Sequence, residues 1–266
     1  MNFPVDFSRS TSMQNPMSSS LESSTTDDPS DKRSRLISKV LAPALRLWLR
    51  SQVDHVESLQ VEIESGDRQI LSGHIQQVNL SADQAIYQGL SLSQVRITGQ
   101  NIRVNLGQVV RGKPLRLLEP IAIWGSVLLL ESDLNASLNA PLLKAGVTEF
   151  LITFLKAGDP VSLEDDLNLQ NLQIRLEDDQ VVIAASLISV TGAETPIAIR
   201  TSFEMAAPNL LKLVNPQWLP HARAKRGLAI ADLDGYTFNL GSETEIQSLI
   251  LEAGQVNCQA KLIVRP

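Results

Sequence analysis

The sequence is poor in the residue types that most active-site chemistry needs. It has one cysteine and three histidines, and aromatic residues make up 4% of its 266 residues. A single cysteine, Cys258, excludes an internal disulfide and a zinc site built from cysteines. The histidines His55, His74 and His221 have none of the spacings of a zinc motif such as HExxH. We therefore predict no metal site and no cofactor.

Motifs for covalent and nucleotide chemistry are also missing. The sequence contains no GxSxG, no Walker loop and no GxGxxG. The acidic groups Glu164–Asp166 and Glu177–Asp179 lie beside predicted turns and lack EF-hand spacing, which favours solvated turn residues. The net charge of −6 and the few aromatic residues argue against nucleic-acid binding. We predict a protein that is not an enzyme; a hydrolase would need a serine brought to His74 from a distant segment.

No apolar run is long enough to span a bilayer. The best candidate, Leu36–Leu49, has only 14 residues and includes two cations, whereas a spanning helix needs about 20 apolar residues. Residues 1–34 are rich in Ser and Thr without apolar periodicity, so we expect a disordered tail. This tail also lacks the basic start and apolar run of a Sec signal. The sequence thus predicts a cytoplasmic or peripherally membrane-associated protein, with residues 35–266 forming one domain.

The segment 35–53 predicts a strongly apolar helix. At about 100° per residue its basic side chains fall on one strip: Arg35, Lys39, Arg46 and Arg50. Apolar residues cover most of the remaining surface, roughly twice the usual stripe of about 100°, so the helix needs apolar neighbours on more than one side. Pro43 predicts a kink near Ala42. The basic strip is either a solvated face or a set of contacts to anionic headgroups.

From Glu57 onward the apolar period changes to two, which predicts ten or more antiparallel strands with one polar face. Ile70–Leu80 is predicted as a strand with a bulge at Gly73, and Ile121–Leu130 as a strand covered on both sides. A second helical region is predicted near 132–157, either as a cavity wall or as ordinary helix-on-sheet packing. The fold class is therefore α+β. Such a long sheet with few helices either closes on itself or encloses a ligand.

Several segments together resemble a known bacterial family. They are, in chain order, SRLISKVLAPALRLWLRSQV, GDRQILSGHIQQVNLSADQAIYQGLSLSQV, NIRVNLGQVVRGKPLRLLEP, ESDLNASLNAPLL, NPQWL and GYTFNLGSETEIQSLILEAGQVNCQAKLIV. Over about residues 34–266 the chain resembles the LmeA-like phospholipid-binding family, in the form found in photosynthetic bacteria. The resemblance implies a long, strongly curved antiparallel sheet wrapped around an N-terminal kinked amphipathic helix. Acyl chains would lie between them, as in tubular lipid-binding (TULIP-like) folds.

This reading gives two sets of expected site residues. The lipid groove would be lined by Leu36, Ile37, Val40, Leu41, Ala44, Leu45, Leu47, Trp48, Phe150 and Phe154. Contacts to headgroups or to a membrane surface would come from Arg46, Arg50, Arg111, Lys113 and Arg116. The expected partner is a phospholipid or another acyl-chain lipid, with lipid transfer or membrane maintenance as the expected role. The alternative is a peripheral membrane or protein-interaction module with a dry packed core and no ligand.

Overall fold

The computed structural model describes residues 41–158, 168–189 and 192–266, without the side chains of Asp67 and residues 156–158. The predicted tail 1–34 and the predicted helical residues 35–40, including Leu36, Ile37 and Val40, lie outside the described residues. The acidic group Glu164–Asp166 lies outside them too.

The described residues form five α-helices and twelve β-strands. The helices are α1 (Ala42–Gln52), α2 (Asp67–Leu71), α3 (Leu106–Val109), α4 (Glu131–Ala136) and α5 (Pro141–Gly158). The strands are β1 (His55–Glu64), β2 (His74–Tyr87), β3 (Leu90–Arg103), β4 (Ile121–Leu130), β5 (Asn168–Glu177), β6 (Gln180–Ile188), β7 (Glu194–Ala207), β8 (Leu210–Trp218), β9 (Leu228–Ala229), β10 (Thr237–Asn239), β11 (Thr244–Glu252) and β12 (Gln255–Val264). The predicted α+β class is confirmed.

The strands divide between two antiparallel sheets, whereas the sequence suggested one long sheet. Sheet 1 has the order β1-β2-β3-β4-β12-β11. Sheet 2 has the order β10-β8-β7-β6-β5, with β9 paired to β8. Because β12 pairs with β4, the end of the chain returns to sheet 1, and sheet 2 is formed by the segment between β4 and β11.

One face of sheet 1 is apolar across all six strands. The register aligns one row of side chains across the sheet: Val61, Leu80, Ile97, Gly125, Ala260 and Ile246. The next row is Leu59, Ala82, Val95, Val127, Cys258 and Leu249. The opposite face carries mostly polar residues in the same register, for example Glu62, Asn79 and Thr98. This two-residue alternation is the pattern of a sheet that covers apolar material on one side only.

Left-handed residues interrupt that alternation within the strands. Gln84 in β2 and Asn101 in β3 have φ angles of 48° and 54°, and the pairing of β11 with β12 shifts between Ile246 and Ser248. Such irregularities bend a strand and re-aim its side chains. Asn101 lies opposite the stretch of β2 between Ile75 and Gln77, and there Ile75 and Val78, three residues apart, both contribute to one apolar cluster.

Two local predictions are corrected by the structure. Ile70 does not begin a strand: it is the buried anchor of α2, only 2% exposed, and β2 starts at His74 after Gly73. Gly73 has φ of 80°, and a Cβ there would lie 2.4 Å from the carbonyl oxygen of Val104, so the turn requires glycine. Strand β4 has the predicted bounds but is not covered on both faces, because Trp124 is 37% exposed.

The helical region predicted near 132–157 is present as two helices, α4 and α5, and Pro141 opens α5. Pro43 lies in the first turn of the described part of α1, a position that helices tolerate. The predicted kink near Ala42 concerns the junction with residues 35–40, outside the described residues.

Helix α4 joins the two sheets through side chains that bond to backbone groups of β5. The Asn135 amide donates to the Ile174 carbonyl at 2.7 Å and accepts from the Ile174 N–H at 3.0 Å. Glu131 accepts from the Leu176 N–H at 2.7 Å. From the end of α4, the Ser137 hydroxyl accepts from the Ser91 N–H of β3 at 2.7 Å. These bonds give hydrogen-bond partners to backbone groups of β5, the edge strand of sheet 2, and fix sheet 2 against sheet 1.

We expect Asn135→Ala to lower the free energy of unfolding by about 2 kcal/mol, because it leaves both backbone groups of Ile174 without their partner. Urea denaturation followed by circular dichroism measures this change. The exposed Asn139→Ala is the matched control and should change stability by less than about 0.5 kcal/mol. Equal effects of the two substitutions would contradict the role assigned to Asn135.

Candidate functional site

Helix α1 lies against part of the apolar face of sheet 1. Leu41 and Leu45 are 0% and 8% exposed, and Trp48 packs half-buried beside them. Their spacing of three and four residues puts them on one side of the helix. Leu47 points away from this contact and is 72% exposed, while Ala44 is half-buried. The helix therefore contacts the sheet through a narrow apolar stripe, although apolar residues cover most of its surface.

A cavity of about 160 Å³ lies between α1 and sheet 1. All of its lining residues are apolar: Leu45, Trp48, Leu49, Ile75, Val78, Leu80, Ile97, Gly99, Ile102, Val104, Leu115, Leu117, Ile121, Ile123 and Val264. Apolar cavities of about 150 Å³ in other proteins stay dry and admit molecules such as benzene. The cavity thus has room for a small apolar group or a short length of hydrocarbon chain.

The apolar surface continues beyond the cavity along sheet 1. We call this continuation the apolar trough; its residues are Leu59, Leu80, Ala82, Val95, Ile97 and Val127. Leu80 and Ile97 belong to both the trough and the cavity wall, so the two surfaces are continuous. Within the described ranges, this cluster contains side chains of sheet 1 alone. Ala82 and Val95 are buried within the trough, whereas Leu59, Leu80, Ile97 and Val127 are half-buried, and no described helix contributes an apolar side chain to this cluster.

Cys258 lies on the same apolar face. It pairs with Val127 of β4 and Leu249 of β11, next to the trough. Burial raises the pKa of its thiol, because the thiolate loses hydration that the apolar surroundings do not replace.

Phe150 and Phe154 do not join the cavity under α1. Both are buried on α5, and their rings lie 4.6 Å apart between centroids. Phe150 stacks on Phe238 at 5.7 Å, and Phe154 meets Trp218 edge-on at 6.3 Å. These contacts place them in a second core, between α5 and sheet 2. The sequence left two roles open for this helical region, a cavity wall or ordinary helix-on-sheet packing, and these two residues have the second role.

The five predicted cationic residues are all exposed and fall on two segments. Arg46 and Arg50 lie on α1, and Arg111, Lys113 and Arg116 follow α3. In the second segment successive side chains point in opposite directions: Leu115 and Leu117 line the cavity, while Arg116 faces solvent. One wall of the cavity is therefore a loop with a cationic outer surface.

Asn105, which is 8% exposed, holds this loop against the sheet. Its side chain donates to the Pro114 carbonyl at 2.9 Å and accepts from the Arg116 N–H at 2.8 Å. Its own N–H donates to the Arg116 carbonyl at 3.2 Å. Sequence reasoning missed Asn105, since a lone polar residue after a strand gives no signal that it will be buried.

The sequence also missed the strand and loop residues that form most of the cavity wall. Ile75 and Ile121 lie within predicted strands, but period-two alternation says only which face of a sheet a residue occupies. Their convergence under α1 depends on the bends near Gly73 and Asn101, which bring distant strands around the helix.

Along the described ranges, no cluster of histidine, cysteine and acidic side chains could hold a metal ion. In the same part of the chain, no helix is long and apolar enough to cross a membrane. The fold and the site define an α+β protein with a preformed apolar surface, as is typical of proteins that bind apolar ligands.

The family model for LmeA-like phospholipid-binding proteins matches residues 33–261. The chain belongs to this family, as the sequence segments indicated, and the family binds lipids and is not a known enzyme family. The expected likeness to tubular folds and the placement among photosynthetic bacteria stay predictions. No curated protein and no solved structure matches the chain.

We expect Asn105→Ala to destabilise the protein by about 2–3 kcal/mol, because it leaves the backbone of Pro114 and Arg116 without its buried partners. Amide hydrogen exchange should accelerate in residues 114–118 more than in sheet 2. The control is Gln108→Ala, which removes an exposed side chain that meets Asn105 only at 3.4 Å. Matching exchange rates in the two variants would argue against the tether.

The pH dependence of thiol alkylation tests the environment of Cys258. The thiolate is the reactive form, and a raised pKa keeps the thiol protonated, so folded protein should need a higher pH than an ordinary cysteine with pKa of about 8.5. Mass spectrometry of iodoacetamide-treated protein gives the profile, with urea-denatured chain as the control. Restricted access lowers the rate at every pH, whereas a raised pKa shifts the midpoint. Equal midpoints for the folded and the urea-denatured protein would disprove the raised pKa of Cys258.

Proposed function

We propose that this protein binds a phospholipid by holding its acyl chains in the cavity beneath α1 and along the apolar trough. The observation that carries the proposal is the continuous apolar surface formed by the two. A soluble fold normally covers such a surface, because exposed apolar area is unfavourable in water. Membership of a phospholipid-binding family supplies the ligand class.

The size of the cavity limits how the lipid sits. At about 160 Å³ the cavity is smaller than the roughly 300–1,000 Å³ of a typical ligand site, so it holds only part of one chain. The remaining methylenes lie in the trough. Burying about ten methylenes at about 0.8 kcal/mol each gains about 8 kcal/mol before the entropic cost of association.

The headgroup lies outside the apolar surface in this arrangement. A phosphate in the cavity would have no polar partner among its lining residues, and an unpaired buried charge is strongly unfavourable. Exposed cations on neighbouring elements, Arg46 and Arg50 of α1 and Arg116 of the cavity loop, are the proposed headgroup contacts. Reversible burial of chains without covalent chemistry suits a protein that carries lipid or helps to maintain a membrane.

Native mass spectrometry of the purified chain, followed by lipid extraction, tests the proposal. We expect a bound species whose added mass equals that of an extracted phospholipid. Protein that shows only its own mass, and remains so after incubation with phospholipid vesicles, would overturn the proposal. That result would favour the module with a dry core.

A substitution beside the trough should displace the lipid. Ala260 and Gly125 lie in the same apolar row as the trough residues Leu80 and Ile97, and both are small, so Ala260→Phe adds a ring at the border of the trough. Forcing a chain past the added ring costs about 1–3 kcal/mol, so lipid bound at limiting supply should fall about fivefold or more. Quantified lipid per protein, measured after extraction, gives the answer.

Gln259→Phe is the matched control for this substitution. Gln259 is the neighbouring residue on β12, exposed on the polar face of sheet 1, so the same ring is added outside the trough. Lipid content should be that of the unaltered protein. Equal lipid in both variants, each confirmed as folded by circular dichroism, would move the binding site away from the trough.

A further inference from the structure

Helix α2 and the segment Leu106–Leu118 lie together at one end of sheet 1, and we call them the docking tip. The Val104 N–H donates to the carbonyl of Gly73 at 2.8 Å, which brings the turn after α2 against the start of this segment. Ile70 and Leu106, only 2% and 4% exposed, anchor the two parts in the core beneath α1. The docking tip is therefore a built surface of the fold.

Large apolar side chains point outward from the docking tip. Leu71, Val110 and Leu118 are 64%, 60% and 57% exposed. Single exposed apolar residues are common on proteins, but several on one small surface mark a contact site. At the apex, Gly112 has φ of 81° and open space around it, so the loop projects into solvent beside Val110.

The charge of the docking tip is opposite to that of the whole chain. It carries four cations, Arg68, Arg111, Lys113 and Arg116, against one acidic residue, Asp67, whereas the chain has a net charge of −6. The nearby Glu119 lies 3.6 Å from Arg103 in an exposed ion pair, so it does not neutralise these cations. A cationic surface with protruding apolar side chains complements an anionic bilayer, whose headgroups attract the cations while the interface accepts the apolar groups.

The same segment borders the lipid cavity. Leu115 and Leu117 form part of the cavity wall, while Arg116 and Leu118 face outward. A membrane in contact with the outer surface would thus be separated from the cavity by the thickness of one loop, which Asn105 holds in place.

We propose that the docking tip seats on an anionic membrane surface and serves as the entry through which an acyl chain passes into the cavity. The entry part of this proposal rests on the proposed lipid binding. Cations contact lipid phosphates, Leu71 and Val110 insert at the interface, and the Leu115–Leu117 loop gives way when its hydrogen bonds to Asn105 open.

A second cationic surface on this protein provides a matched control. Arg223, Lys225 and Arg226 are exposed in the loop after β8, and Leu228 beside them is 75% exposed. Arg200 donates hydrogen bonds to the carbonyls of Ala224 and Lys225 and holds this loop on sheet 2. It resembles the docking tip in its cationic charge but has one exposed large apolar side chain where the tip has three, and none of its residues lines the cavity.

The experiment compares full-length variants in flotation with vesicles of phosphatidylcholine containing phosphatidylglycerol, and with vesicles of phosphatidylcholine alone. Arg111→Ala with Lys113→Ala removes two cations from the docking tip. Arg223→Ala with Lys225→Ala removes two from the control loop. At about 1 kcal/mol for each cation near an anionic surface, the tip variant should bind about 30-fold more weakly, and the control variant less than about threefold. Val110→Ser should also weaken binding, and Leu228→Ser should not.

Binding that survives in both tip variants overturns the proposal. An equal loss of vesicle binding in the tip and control variants also overturns it, because that result would indicate attraction by overall charge. A loss of binding in the control variant alone overturns it as well. Lipid content by extraction keeps failure of docking separate from failure of lipid binding, because the tip variants leave the cavity lining intact. In the supporting outcome the tip variants retain lipid when it is supplied in detergent but load it more slowly from vesicles.

Discussion

The strand register of sheet 1 is the constraint on which the rest of the structure depends. It aligns apolar side chains of six strands into continuous rows on one face. A face of that extent must be covered, or it favours association with other apolar surfaces. Helix α1 covers one part with Leu41 and Leu45, and α5 with sheet 2 forms the core near Leu249 and Leu251. Between them lies the trough, the part of the face that a lipid chain would cover.

The covering elements depend in turn on a few polar contacts. Asn135 and Glu131 of α4 bond the backbone of β5 and fix sheet 2 against sheet 1. Asn105 fixes the loop that closes the cavity. In both places a side-chain amide replaces a missing backbone partner, so its loss leaves buried donors and acceptors unpaired. The apolar rows supply the driving force, and these amides decide where the covering elements sit.

Sequence reasoning succeeded where the local pattern was decisive. The bounds of β4 and the helical region near 132–157 followed from local apolar patterns, and the acidic group Glu177–Asp179 lies at the predicted turn, between β5 and β6. The predicted strand start at Ile70 was wrong. Ile70 and Leu71, shortly before Gly73, are compatible with either a strand or a helical turn. Sequence reasoning also placed Phe150 and Phe154 in the same groove as the residues of α1. The sequence could not correct this prediction, because the apolar residues of a helix carry no information about which sheet the helix packs on.

The sequence by itself determined the class of the protein: an α+β fold with a large apolar inventory, no recognisable catalytic motif, and an ordered set of segments typical of a phospholipid-binding family. These properties depend on composition and on periodicities of two and about 3.6 residues, which are local. Only the tertiary structure decided that the strands divide between two sheets and that the cavity joins the trough at Leu80 and Ile97. The reason is physical, because strand partners, bends and loop contacts join residues far apart in the chain, and their positions depend on packing that no local pattern specifies.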